Sequence, residues 1–341
     1  MLDVRLGETQ RFENLTLFPL VATSPADLPY VLLADALGSG SVRISEIGEG
    51  TVPTLLATNE GVLDVLILDG EQLIGSKQNR MTNRSILLPA GSRTEIPVYC
   101  MEQGRWHFAT GQMASAPQHS PSKVRRRARE TEARHAAAGA APGAGVLREA
   151  QGDVWHDVAD SLSMLKAATP TSALDAAYDA NRHRLDEWLQ AFPPSPDQVG
   201  LLAFVAEAPL GLDVVGAPRL YARLHDRLLR GYVLDALEHA ARGRRASRLA
   251  GDPLAQRYLD AVRTAQRDRA PTVGRGEYHV IRGAVVGGEL TDDGRIAHLS
   301  AFPVEQPRPG SGAAAADGPV GPPVAPPSRR RRRPPPGGDT A

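Results

Sequence analysis

The sequence predicts an α+β fold, and three observations carry that expectation. The first third is a series of short segments rich in branched residues and cut by Gly, Pro, Asn and Ser. The middle places apolar residues three and four apart, the period of a helix. The last third combines buried-strand patterns with one long amphipathic helix. The expected architecture is a β-rich N-terminal third, a helical middle and a C-terminal strand–helix–β-hairpin. Together these complete one interleaved domain over residues 1–305.

Strands are expected from Leu15 to Ala22, Tyr30 to Ala36, Val42 to Ile47, Leu63 to Leu68, Ser85 to Leu88, Ile96 to Met101 and Arg105 to Phe108. In the sixth, alternation puts Ile96, Val98 and Cys100 on one face, and Glu102 follows on the Cys100 side. Between 114 and 150 the composition changes. Pro117, Pro121, Pro142, the cluster Arg125-Arg126-Arg127 and an Ala/Gly run predict a poor core segment. It reads as a flexible Arg/Ala/Gly-rich insertion with a short helix in its middle. Val154, Val158, Leu162 and Leu165 mark the next helix; Leu174, Tyr178, Leu185, Trp188, Leu189 and Phe192 mark another, which Pro193-Pro194 ends. A buried strand from Gly200 to Glu207 pairs with Leu210 to Val215. Leu220, Leu224, Leu228, Tyr232 and Ala236 then form the stripe of a long helix starting near Pro218. A helix over Pro253 to Gln266 precedes a β unit, Tyr278 to Val286 and Arg295 to Pro303, turning at Asp292-Asp293-Gly294.

The 42% hydrophobic and 23% charged fractions of the 341 residues are those of a soluble globular protein. Cys100 is the only cysteine, which excludes an intramolecular disulfide and a thiolate metal cage. The start Met1-Leu2-Asp3-Val4-Arg5 lacks the basic region and apolar run of a signal peptide. No run approaches the ~20 apolar residues of a membrane span. The expectation is a cytoplasmic protein without membrane contact. The net charge is zero, yet Gln306 to Ala341 carries six Arg against Asp317 and Asp339, so the rest is mildly acidic. That argues against a body built to follow nucleic acid. The tail reads as disordered, because its composition cannot offset the entropy of folding. Weak nucleic-acid contact through Arg329, Arg330, Arg331, Arg332 and Arg333 is the alternative.

The densest chemistry lies between Asp69 and Phe108. Lys77-Gln78-Asn79-Arg80-Met81-Thr82-Asn83-Arg84 holds three cations and three carboxamides around one apolar side chain. The cations can clamp phosphate or carboxylate oxygens while Gln78, Asn79 and Asn83 read a base or ribose edge. The competing reading is a solvated hairpin loop whose Asn side chains satisfy local turns, and composition alone leans that way. Glu71 and Glu102 are the acid/base candidates, provided their strands adjoin and both carboxylates enter one cavity. Otherwise they are structural ion pairs, Glu102 with Arg105 or Lys77. Trp106 can stack a base or fill a core edge. Cys100 lacks an adjacent base and reads as a buried inert thiol. His107, His279 and His298 match no metal motif, so no metal is expected; His298 is the histidine that merits a test. Phosphate-loop, nucleophile-elbow and His-Glu-x-x-His motifs are missing, and Gly274-Arg275-Gly276 is a false dinucleotide lead.

These residues carry a resemblance. Glu71, Leu73, Gly75, Lys77-Gln78-Asn79-Arg80 and Asn83, then Pro97, Cys100, Glu102 and Gly104-Arg105-Trp106, resemble the ADP-ribosylglycohydrolase- and rhodanese/phosphatase-superfamily-associated protein domain family. Gln151, Trp155, the Gly200 strand with the Leu220 to Tyr232 helix, and Ile296 to Phe302 are weaker echoes. The pattern covers roughly residues 10 to 303, with Tyr99 a departure where a small residue is expected. The family's gene associations imply ADP-ribose, NAD-derived or nucleotide metabolism, and tip the polar run from loop to site. The expected protein binds a small anionic or nucleotide-like ligand through Lys77, Gln78, Asn79, Arg80, Asn83, Arg105 and Trp106. Glu102 and Glu71 are its catalytic candidates if the ligand is hydrolysed or transferred. The alternative is a non-catalytic sensor or adaptor. The sequence names no cofactor, oligomeric state or reaction.

Overall fold

Every side chain of the strand Gln198–Val205 is buried, so it needs cover on both faces. Leu201, Ala203 and Val205 pack with Leu220, Leu224 and Leu228 of the helix Pro218–Ala241. Leu202 and Phe204 face the other way, onto Ala255, Leu259 and Val262 of the helix Asp252–Thr264. This two-sided burial explains why the strand reads as a nearly continuous apolar run. It lies inside an antiparallel sheet ordered Val4–Leu6, Leu15–Ala22, Gln198–Val205, Ala208–Val215, Arg295–Pro303, Val285–Asp292, Glu277–Arg282 and Gln266–Ala270. Gln10–Phe12 pairs with Leu15–Ala22 as well. N- and C-terminal segments thus share one sheet. The computed structural model describes residues 2–304 except 49, 51–52, 139–143 and 244–247, and Met1–Val304 form one compact unit. The expected tail, 306–341, and the Ala/Gly stretch at Pro142 lie outside the described residues.

A second sheet runs Met113–His119, Glu71–Gly75, Arg80–Thr82, Ser92–Cys100, Thr54–Asn59 and Val42–Ser45. Its two edge strands come back into contact, so the sheet curls. Val42, Ile44, Leu55, Ala57, Leu73, Ile96, Val98 and Met113 fill its inner face. Ile86–Leu88, Asp64–Ile67 and Tyr30–Leu32 form a small third sheet, with the last pair parallel.

The fold is α+β, with departures from expectation in single elements. The strand expected over Tyr30 to Ala36 stops at Leu32. A helix, Leu33–Gly38, follows because Leu33 and Ala36, one turn apart, are the residues it buries. Arg105 to Phe108 is irregular: the Arg105 side chain folds back onto Glu102 while Trp106 and Phe108 point outward. The helix expected from Leu174 to Phe192 is two, Asp175–Ala180 and Arg182–Ala191, separated at Asn181.

The largest correction concerns 113–137. Met113–His119 is a strand paired with Glu71–Gly75. Ser122–Ala137 is a helix whose Val124, Arg125, Ala128 and Arg129 are all buried. Arginines at positions one turn apart enter the core there because carboxylates wait for them, Asp69 and Asp213 for Arg125 and Glu132 for Arg129. Arg126 and Arg127 take the outer side, near Glu130 and Asp157. Gly231 lets the long helix approach this segment, since a Cβ there would sit 2.8 Å from the Ser120 carbonyl oxygen. No helix among the described residues is long and apolar enough to cross a membrane.

Candidate functional site

Glu71–Gly75 and Arg80–Thr82 form a hairpin in which Leu73 faces Arg80 and Gln72 faces Met81. The polar residues Ser76 to Asn79 make its turn. Gly75 (φ 114°) and Ser76 (φ 46°) take left-handed backbone, and Asn79 Oδ1 accepts the Gly75 N–H at 3.1 Å. To that extent the run behaves as a local turn.

Asn79 also links two acids. Its backbone N–H donates to Glu102 Oε2 at 3.1 Å, and its Nδ2 donates to Asp175 Oδ2 at 2.6 Å. Asp175, the first residue of its helix, accepts a second bond from Gln118 Nε2 at 2.7 Å. The two carboxyls are driven in opposite directions. Burial pushes Asp175 up to about 6, and the nearby Asp179 and Glu102 charges add to this against the bonds from Gln118 and Asn79. Burial also pushes Glu102 up, but hydrogen bonds from Arg105, Thr171 and Asn79 outweigh it and hold the carboxyl below its ordinary range. Arg105 grips Glu102 side-on, Nε at 3.0 Å from both oxygens and Nη2 at 2.7 Å from Oε2. Arg105 Nη1 donates to the Ser76 carbonyl at 2.6 Å, which ties the pair to the turn.

Above this layer Trp106 and Phe108 are 48% and 55% exposed, unusual for rings of this size. Lys77 Nζ lies 5.3 Å and 5.1 Å from their centroids, within cation–π range. Arg80 Cζ lies 5.8 Å from the Trp106 centroid. Gln78 is buried and donates from Nε2 to the Glu102 carbonyl at 2.8 Å. Its Oε1 accepts from Arg80 Nη1 at 2.7 Å and from Cys100 Sγ at 3.2 Å. Burial pushes the Cys100 thiol up to about 11, so a thiolate is disfavoured at neutral pH.

The structure therefore gathers Lys77, Gln78, Asn79, Arg80, Glu102, Arg105 and Trp106 at one end of the hairpin. Glu71 and Asn83 are elsewhere. Glu71 sits at the far end of its strand, about 13 Å away by the strand rise. There it accepts from Ser115 Oγ at 3.0 Å and the Leu68 N–H at 3.3 Å, with Arg227 at 3.5 Å. Burial pushes its carboxyl up. Asn83 is buried and bonded to Tyr99. Glu71 and Glu102 share no partner among these contacts; the acid beside Glu102 is Asp175. Asp175 and Gln118 were missed because they lie 96 and 39 positions from Asn79 in sequence and belong to no local motif.

A second polar centre lies between the sheets. Arg125 Nη2 donates to Asp69 Oδ1 at 2.7 Å and Asp213 Oδ1 at 2.6 Å, and Nη1 to Asp213 Oδ2 at 2.8 Å. Tyr232 donates to Asp213 and Ser300 to Asp69. His298 Nε2 is 3.2 Å from Asp213 Oδ1, so that nitrogen carries a proton, and Nδ1 is 2.6 Å from Ser85 Oγ. Burial pushes both carboxyls up, yet the charges of Arg125 and His298 overcome it and hold Asp69 and Asp213 below their usual range. Ser85, His298 and Asp213 have the connectivity of a hydroxyl–imidazole–carboxylate relay. Ser85 is buried, however, and its oxygen already accepts the Asp69 N–H at 3.2 Å. Asp69, Asp213 and His298 have ligand atoms within 4.8 Å of one another, the spacing of a metal site. Arg125 bonds both carboxylates, so this donor set is committed to an internal cation. Arg84 joins the same layer through Glu132 at 2.8 Å and stands over the Tyr278 ring.

Gly70 is what lets Arg125 pass. Its φ is 81°, and a Cβ there would lie 2.5 Å from Arg125 Cδ. Gly70→Ala combines left-handed strain with overpacking and is expected to cost about 2–4 kcal/mol; a urea midpoint unchanged from wild type would show that Arg125 is placed otherwise.

Neither the curated proteins nor the solved structures contain a match to this chain. One family model does match it, over residues 3–302, nearly the whole of what the sheets and both polar centres occupy. The chain belongs to the ARG and Rhodanese-Phosphatase-superfamily-associated Protein domain family.

Proposed function

We propose that the protein binds an ADP-ribose-, NAD- or nucleotide-type anionic ligand at the turn of the Glu71–Thr82 hairpin. The observation that carries this reading is Lys77 set against two half-exposed rings, beside two acids bridged by Asn79. Trp106 and Phe108 offer π-faces to a base, and an ammonium is a point-charge partner for phosphate. The family's association with ADP-ribosylglycohydrolases and phosphatases favours the same ligand class.

If the bound ligand is cleaved, Asp175 is the proton donor and Glu102 its ionised neighbour, the division of labour that suits an anomeric or phosphoryl centre. The donor form of Asp175 is present below about pH 6 and lost above it. Turnover is therefore expected to fall as pH rises through 6, and Asp175→Asn to abolish it while leaving binding. A rate that is flat from pH 5 to 8 would remove Asp175 from this role. The sensor or adaptor reading is favoured by one contact: Arg105 occupies both Glu102 oxygens. In that case Glu102→Gln alters affinity only, and bound ligand is recovered unchanged.

The test is thermal unfolding with NAD, ADP-ribose, AMP, GMP and sugar phosphates. A ligand at 100 times its Kd stabilises by about 2.7 kcal/mol, a shift of several degrees in a protein of this size. No shift with any of them would overturn the reading.

A further inference from the structure

Glu46 continues the inward-facing series Val42, Ile44 at the end of its strand. Arg80 is paired directly with Cys100 on the neighbouring strand, in phase with Val98 and Ile96. Both side chains are closed off from solvent, Arg80 at 0% and Glu46 at 3%. Their closest approach, Nη2 to Oε1, is 3.6 Å, too long for a hydrogen bond. Arg80 Nη1 is used by Gln78 and Cys100. Its Nε and Nη2, and both oxygens of Glu46, have no hydrogen-bond partner. Nη2 and Oε1 meet only as an ion pair, and leaving the hydrogen bonds of four buried charged-group atoms unmade is costly. Nε and Nη2 form the side-on fork that arginine uses for acceptors. Glu46 beside it accepts only.

We infer that Arg80 and Glu46 form an inner subsite for an amide-type edge, a carbonyl beside an N–H, carried by the ligand that approaches over Trp106. This rests on the ligand reading above and narrows it. The pair is neutral overall, so a second phosphate or carboxylate would meet the Glu46 charge and be disfavoured. A carbonyl oxygen satisfies the arginine fork, and the neighbouring N–H satisfies Glu46. Two nucleotide parts carry that edge: the nicotinamide carboxamide and the lactam side of guanine. Adenine has no carbonyl. Trp106, against Arg80 and half exposed, is the side chain that must move aside for entry. NAD should therefore stabilise the protein more than ADP-ribose, and GMP more than AMP.

The direct test uses the wild-type chain and observes the Arg80 Nε–H resonance, assigned by its loss in Arg80→Lys. Nicotinamide and guanosine are added as separate probes, with adenosine as the probe lacking the carbonyl. A saturable shift with nicotinamide or guanosine and none with adenosine supports the subsite, and tells which source supplies the edge. Glu46→Gln should then weaken that probe about ten-fold or more; if this variant folds poorly, the wild-type titration decides alone. An unmoved resonance, or an equal response to adenosine, overturns the inference and leaves the pair a structural ion pair. The two readings fail separately. Equal stabilisation by NAD and ADP-ribose with an unmoved Arg80 signal removes the inner subsite only. A nicotinamide response without nucleotide stabilisation removes the outer site only.

Discussion

Arg125→Met is expected to destabilise the protein by about 3–5 kcal/mol at neutral pH, a large share of the 5–15 kcal/mol of a typical fold. Arg125 is 2% exposed and supplies three charge-assisted hydrogen bonds to Asp69 and Asp213. Methionine keeps much of the stem's packing but leaves two buried carboxylates without their main counter-ion. The loss should depend on pH in a fixed direction. In the wild type both carboxyls have folded-state pKa values below the unfolded ones. Their contribution is present above about pH 4, the unfolded value, and is lost as pH falls through the folded values. Without the guanidinium, burial and mutual repulsion dominate and the folded values rise. The destabilisation relative to wild type should then be larger at pH 7.5 than at pH 5, where one carboxyl can take up a proton. Urea unfolding at both pH values measures this. A difference under 1 kcal/mol, or one that is larger at pH 5, would mean that the two aspartates are held by something other than Arg125.

If the proposed site takes NAD, Trp106→Ala is expected to weaken that binding about 10- to 100-fold while changing stability by only about 0.5 kcal/mol. Base stacking on an aromatic ring is worth about 1–3 kcal/mol. A half-exposed side chain on an irregular segment contributes little to the fold. Lys77→Ala should weaken NAD less and flatten the salt dependence, because the ammonium's share is screened charge. Titration calorimetry at two salt concentrations separates the two. If Trp106→Ala leaves NAD affinity intact but lowers the unfolding midpoint by several degrees, the ring is a structural cover and the ligand sits elsewhere. Measuring the unfolding midpoint of each variant beside its affinity separates lost binding from lost folding, since Trp106 also lies against buried Arg80.

Much of this was legible in the sequence, and the limits have physical causes. The helical stripe Leu220, Leu224, Leu228 could be read because helix burial is periodic and local. Leu15 to Ala22 could be read because branched and apolar residues fill a strand covered on both sides. The block Lys77 to Arg80 with Glu102, Arg105 and Trp106 was recognisable as a group, and the fold does bring those side chains together. Glu71 and Asn83 belong to the same sequence block and family pattern, but a strand carries Glu71 about 13 Å from the hairpin turn. Tertiary structure alone supplied Asp175 as the second acid, Glu46 as the partner of Arg80, and the joining of Asp69, Arg125, Asp213 and His298. Arg125, Arg129 and Glu132 did leave a trace, spaced one turn apart on one helix face. A cation cluster is nevertheless ambiguous until its counter-charges are located. What the sequence determined is what neighbouring residues decide: element type, apolar face, turn and the family. What only the fold decided is which distant charges meet, because a buried ion is tolerated only where the three-dimensional path of the chain places its partner.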